Sequence, residues 1–179
     1  MNTSKIIIPD NIRLVYLASN LAAKLHQHQK RKDGCTPYIA HLLRVPHILS
    51  CVFGCKDAVT IAAGILHDAI EDTTADYDEI AESTSPEVAD LVAFLTKDMR
   101  LAEPQREREY DDRLATAPWQ ARLIKLADVF DNLCDSCLSG VNIEIQGKVD
   151  RALALAGNEP ELAQAAAHLR QLGMLNAPH

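Results

Sequence analysis

The sequence predicts an all-α protein, a single compact bundle of about seven to nine helices spanning residues 1–179, and three observations predict it. At 179 residues the chain is long enough to bury one continuous core. It is 47% hydrophobic but only 4% aromatic, a balance that suits helices packed on helices. Ala and Leu recur at i, i+3 and i+4 instead of alternating, which is the period of a helix face.

Taken in order, the first helix is expected to start near Pro9-Asp10-Asn11, to run to about Gln29 and to bury Ile12, Val15, Ser19, Ala22 and Ala23. The basic cluster Lys30-Arg31-Lys32 then breaks at Asp33-Gly34. Pro37 can occupy the first turn of a second helix carrying Tyr38, His41, Leu42, Val45, Ile48 and Leu49. Gly54 ends that helix, and Asp57 is a cap for a third whose apolar positions are Val59, Ala62, Ala63, Leu66 and Ile70.

The third helix delivers Leu66-His67-Asp68-Ala69-Ile70-Glu71-Asp72-Thr73 at its end, with Glu71 one turn beyond His67 on the same face. After a turn at 73–76 come a short helix through Ile80 and another from Pro86 to about Lys97, with Val88, Leu91, Val92 and Leu95 inward. Residues 98–112 alternate in sign and read as a solvated helix or a mobile loop. From Pro118 a helix with Ala121, Ile124, Ala127, Phe130 and Leu133 brings Lys125, Asp128, Asp131, Asn132 and Asp135 near one another. Two alanine-rich helices, roughly 142–156 and 159–172, complete the bundle.

Charge and composition exclude several classes. A formal net charge of −7 argues against nonspecific nucleic-acid binding, though a small anion needs only a local basic patch. The N-terminal Ile6-Ile7-Ile8 run is too short for a signal or a membrane span, so a cytoplasmic protein is expected. The odd count of five cysteines, set mostly among apolar residues, points to reduced thiols rather than to disulfides or a zinc site.

Four metal-capable side chains belong together: His41, His67, Asp68 and Asp128. Two imidazoles with two carboxylates suit manganese, iron or zinc and leave room for water and a substrate oxygen. Each also suits a plainer role. A helical histidine is often a hydrogen-bonded core residue, and Glu71 with Asp72 could be a solvated acidic helix tip. The apolar settings of Asp68 and Asp128 weigh toward the metal, because a carboxylate buried among aliphatic groups is costly unless paired or coordinated.

Four segments in order, His26-x-x-Gln29-x-Arg31-Lys32-x-Gly34 with Pro37-Tyr38-Ile39-x-His41, Leu66-His67-Asp68-x-x-Glu71-Asp72-Thr73, Leu95-Thr96-Lys97, and Lys125-Leu126-Ala127-Asp128-x-x-x-Asn132, resemble the HD-domain hydrolases of the RelA/SpoT type over about residues 18–135. The resemblance implies an HD-domain bundle and hydrolysis of the 3′-pyrophosphate of guanosine tetra- or pentaphosphate. It implies one manganese ion on His41, His67, Asp68 and Asp128, with Glu71 and Asp72 managing the attacking water. Arg31 and Lys32 would meet the base and nucleotide, Asn132 the nucleotide, and Lys97 and Arg108 the phosphates.

With the chain ending at His179 and no room for a synthetase domain, the expectation is a stand-alone small alarmone hydrolase whose partner is a purine nucleotide. Val129 stands where Arg is often found, and Asp135 where a small hydroxyl residue is common, an extra acid that opposes an anionic ligand. The competing readings are a phosphatase for another nucleotide such as NADPH and a nucleotide-sensing module without catalysis. A helical interaction protein is the plainest of them.

Overall fold

The computed structural model describes residues 7–139 and 145–175, and among them every regular element is helical. The order is α1 (Asp10–Leu25), α2 (Ile39–His47) continued by a π-helical turn (Ile48–Val52), α3 (Ala58–Leu66), α4 (Ala69–Asp72), α5 (Tyr77–Ser83), α6 (Pro86–Leu95), α7 (Glu103–Ala115), α8 (Trp119–Ser139), α9 (Ile145–Ala156), a 3-10 turn (Pro160–Leu162) and α10 (Ala163–Leu175). Helices α3 and α4 are one run interrupted at His67-Asp68, so the bundle matches the expected all-α class. The start expected for the C-terminal pair, residues 142–144, lies outside the described residues.

Local chemistry sets most of the boundaries. Asp57 caps α3 by accepting from the Thr60 backbone N–H at 3.0 Å, Asp76 caps α5 and Ser85 caps α6, each taking one of the N–H groups that a helix start leaves without a partner. Pro46 interrupts the amide ladder near the end of α2, and the chain loosens into the π-helical turn before Gly54, at φ +73°, reverses it.

Helix α8 is the axis of the domain. It packs against α2, α3, α6, α7, α9 and α10, while α1 lies along α3 and α5 along α6. Leu42, Leu49, Ile65, Leu66, Ile124, Leu126 and Leu133 fill the space between these elements.

Two details of α1 differ from the periodicity. It ends at Leu25 rather than Gln29, and its inward stripe is Ala18, Leu21 and Ala22, leaving Ile12 and Ala23 exposed. Beyond Leu25 the chain makes a compact hairpin. Lys30 bridges to Pro37, Gly34 turns at φ +70°, and the Asp33 carboxylate accepts from the backbone N–H groups of Cys35 and Thr36, both at 2.8 Å. The hairpin buries the His26 ring, which stacks on Tyr38 at 5.3 Å.

Close approach of α3 to the α2 end depends on Gly64, where an added Cβ would lie 2.6 Å from Leu49 Cδ1. Leu49 is itself fully buried, so the contact is relieved only by repacking the core. Gly64→Ala is therefore expected to destabilise the fold by about 1–3 kcal/mol through overpacking, read as a lower midpoint in urea unfolding.

Candidate metal centre

The break between α3 and α4 makes the site. In an unbroken helix neighbouring side chains point about 100° apart. Here residues 67 and 68 form a turn, with Asp68 at φ −99°, ψ 0°, and its Oδ2 comes within 3.1 Å of His67 Nε2. Helix α2 adds His41, whose Nε2 lies 3.2 Å from His67 Nε2 and 3.5 Å from Asp68 Oδ2. Helix α8 adds Asp128, whose Oδ1 is 3.4 Å from His41 Nε2 and 3.8 Å from His67 Nε2.

Each imidazole is oriented by its other nitrogen. His41 Nδ1 meets Asp131 Oδ2 at 2.7 Å and His67 Nδ1 meets the Gly64 carbonyl at 2.9 Å. Both partners are acceptors, so Nδ1 carries the hydrogen and the neutral ring presents a lone pair at Nε2. Two imidazole nitrogens and two carboxylate oxygens facing one point make a site for a cation.

The donor set of His41, His67 and Asp128, all mutually within 4.8 Å, joined by Asp68, fits one divalent transition metal. Without a metal the same carboxylates put a proton where the cation would sit. Burial would lower the His41 imidazole, but the Asp128, Asp131 and Asp68 carboxylates outweigh it and raise it to about 9. Burial would likewise raise Asp68 and Asp128. It is overcome at Asp68 by the two imidazoles and at Asp128 by Lys125 and the same imidazoles, leaving both well below the usual carboxylate range.

A cavity of about 350 Å³ opens onto these groups. Glu71 and Asp72 line it from α4, with Glu71 Oε2 accepting from the Lys97 backbone N–H at 3.0 Å. Burial raises the pKa of both carboxyls, helped at Asp72 by the charge of Asp68. Lys32, Lys97 and Asn132 also line the cavity.

Arg31 is tied down at its margin. Its Nη2 donates to Asn132 Oδ1 at 2.8 Å and to Asp135 Oδ2 at 2.9 Å, and its guanidinium lies 5.6 Å from the Tyr38 ring centre. Arg108 is not brought to the cavity lining. It is exposed on α7, two residues from buried Tyr110, and positions two apart lie on opposite sides of a helix.

Asp135 is not the unbalanced acid expected beside an anion site. It pairs with Arg31 and, at 3.1 Å, with Arg44. Arg44 in turn grips Asp131 at 2.5 and 2.9 Å, so a continuous charged chain runs from Arg31 to the imidazole of His41. Val129, the other departure, packs against the core.

Sequence reasoning passed over four contributors. Tyr38 donates its hydroxyl to Asp68 Oδ2 at 2.6 Å, Lys125 pairs with Asp128 at 2.8 Å, Asp131 orients His41, and Tyr110 lines the cavity. Tyr38 reads as an apolar position, and Lys125 and Asp131 as neighbours of a ligand. The one available signal for Tyr110 is a lone aromatic in a highly charged helix, which has to be buried somewhere.

A helical domain whose His and His-Asp motifs on neighbouring helices meet a later Asp defines a class, and this chain belongs to it: the HD-domain family, whose model matches residues 18–151. The resemblance drawn from the motifs is thus to the right family. Among its relatives is guanosine-3′,5′-bis(diphosphate) 3′-pyrophosphohydrolase MESH1 of Drosophila melanogaster, 39% identical over 115 residues, which are 64% of each chain. The MESH1 of Homo sapiens is 38% identical over 119 residues, 66% of each chain. The alignment thus spans about two thirds of these relatives' length. A solved structure described as a metazoan ortholog of SpoT that hydrolyzes ppGpp superposes with a TM-score of 0.80 at 27% identity, covering 97% of this chain and 99% of that one.

Asp131 gives the site a direct test. Asp131→Asn keeps the shape but weakens the hold on His41 Nδ1–H, and metal affinity is expected to fall roughly 10–100-fold, as measured by calorimetric titration with manganese.

Proposed function

We propose that this chain is a metal-dependent phosphohydrolase that removes the 3′-pyrophosphate of guanosine tetra- or pentaphosphate, with manganese as its ion. The observation that carries the reading is the mixed nitrogen and oxygen cluster of His41, His67, Asp68 and Asp128 opening into the cavity that holds Glu71. Relatives and a solved structure named for that hydrolysis support it.

A divalent cation on these four residues would supply Lewis acidity toward a phosphoryl group and toward water. The chain's own groups do the rest. Glu71 takes the proton from the attacking water, and the lone Lys97 amide bond on its carboxylate leaves it basic enough to do so. Asp72, with its backbone carbonyl held by Gln29 Nε2 at 2.7 Å, flanks the same water. A new bond forms between the water oxygen and phosphorus, the bond to the ribose 3′ oxygen breaks with its electron pair going to that oxygen, and the proton taken up by Glu71 returns to it to give the 3′ hydroxyl.

Lys32 and Asn132 meet the nucleotide and Lys97 a phosphate, while Arg31 offers its planar face next to Tyr38. The substrate is a small nucleotide rather than a polynucleotide, a reading supported by the net charge of −7 and the cavity volume of about 350 Å³. Arg108, on the far side of α7, has no part in it.

Manganese-loaded protein is expected to release pyrophosphate from guanosine tetraphosphate. Phosphate release from NADPH without pyrophosphate release from the guanosine compound would defeat the assignment in favour of a different nucleotide. Asp68→Ala is expected to remove both metal binding and turnover, whereas Glu71→Gln keeps the metal and slows turnover by about 10²–10⁴.

The pH profile follows from the raised Glu71 carboxyl. Its base form is the working form, so kcat climbs as pH rises through a pKa above the usual carboxylate range. Steady-state rates across pH should show that acid limb in the native chain and lose it in Glu71→Gln.

A further inference from the structure

The His26 ring, in the hairpin after α1, is 2% exposed and takes no part in the metal cluster. Its contacts nevertheless reach both ends of α4, the four-residue helix that carries Glu71 and Asp72.

Asp72 closes α4, and a helix end leaves carbonyls that no N–H of its own can take. The Asp72 backbone N–H is used inside the helix, on the Asp68 carbonyl at 2.9 Å, while its carbonyl accepts from Gln29 Nε2 at 2.7 Å. A carbonyl oxygen only accepts, so the Gln29 amino group points at Asp72 and Oε1 points back at His26. His26 Nδ1 meets that Oε1 at 2.6 Å and is therefore the protonated nitrogen of the ring. Turned over, the amide would set its oxygen against the Asp72 carbonyl. The His26 Nδ1–H is what opposes that.

The same ring stacks on Tyr38, with centres 5.3 Å apart and planes 19° from parallel, and the Tyr38 hydroxyl donates to Asp68 Oδ2 at 2.6 Å. The Tyr38 backbone N–H donates to the Gln29 carbonyl at 2.9 Å and closes the frame. A continuous bracket thus runs through Asp68, Tyr38, His26, Gln29 and Asp72, from the residue that precedes α4 to the residue that ends it. His26 Nε2 is buried and meets no donor among the described residues. A buried acceptor left unmatched is destabilising, and a phenylalanine would fill this space without it, so shape alone does not account for an imidazole here.

We infer that His26 is a positioning residue for the hydrolytic step: through the Gln29 amide it fixes Asp72, and with it the turn that carries Glu71, relative to the ligand Asp68. The role rests on the hydrolase reading, the bracket on geometry alone.

Two substitutions test it. His26→Phe keeps the ring stack and removes the donor, and Gln29→Met keeps the length of the side chain and removes the link to Asp72. In the manganese-loaded chain with guanosine tetraphosphate, each is expected to lower kcat about 10- to 100-fold per bound manganese, with KM and manganese affinity held within about twofold. Because both act through one chain of contacts, the double variant is expected to fall no further than the lower of the two. A residue that merely filled the core would lower the unfolding midpoint and leave kcat per bound manganese unchanged.

Unchanged kcat in both single variants overturns the inference. So does a loss of manganese affinity that matches the loss of kcat, which reads as a loosened site, and so do losses that multiply in the double variant. Should His26→Phe not fold, Gln29→Met, at a half-buried position, decides alone. Turnover of NADPH and not of guanosine tetraphosphate by the native chain removes the substrate assignment, and the same ratios measured on NADPH then decide the role of His26, so the two failures are distinguishable.

Discussion

Two imidazole nitrogens 3.2 Å apart, both facing the Asp68 and Asp128 carboxylates, are the constraint on which the rest of this structure depends. Left to themselves they are protonated by the pull of the adjoining carboxylates. Held in place, they define a point where a cation is stabilised. The fold spends several elements on holding them: the α3–α4 break that turns Asp68 inward, the Gly64 carbonyl that fixes His67, and the Asp131 carboxylate that fixes His41. Because His41, His67 and Asp128 come from three helices meeting at α8, metal geometry and core packing are one problem.

That coupling extends outward through charge. Asp131, Arg44, Asp135 and Arg31 form an unbroken series of ion pairs from the His41 ring to the edge of the cavity. Only the inner end of the series is shielded from solvent, with Asp131 2% exposed against 38% for Arg44, so the His41–Asp131 contact is worth more than the pairs beyond it and cannot be removed without stranding a charge. Arg31 is thereby presented in one orientation, its planar group ready beside Tyr38.

Much of this was legible before any coordinates. The helices, the Asp57 and Ser85 caps, and the inward Val88, Leu91, Val92 and Leu95 follow from spacing and local hydrogen bonding, and the structure has them. The four candidate metal residues were legible because buried carboxylates and histidines in aliphatic runs need a partner. Other points were not. Ile12 and Ala23 face solvent because the α1 stripe is chosen by where α3 lies, and periodicity cannot distinguish adjacent registers. Arg108 fell away for a similar reason: which face of a charged helix turns inward depends on its one large aromatic anchor.

By itself the sequence determined the helical class, the order of the motifs and the kinds of atoms available for chemistry, since these depend on residue type and on separations of three or four along the chain. Only the tertiary structure decided that Asp135 is neutralised by two arginines 91 and 104 residues away, that Asp131 serves His41, and that the Tyr110 ring lies beside both Lys97, in the loop after α6, and Lys125 on α8. Those are contacts between distant segments, and their energies arise from how whole helices pack around α8. No local pattern carries that information.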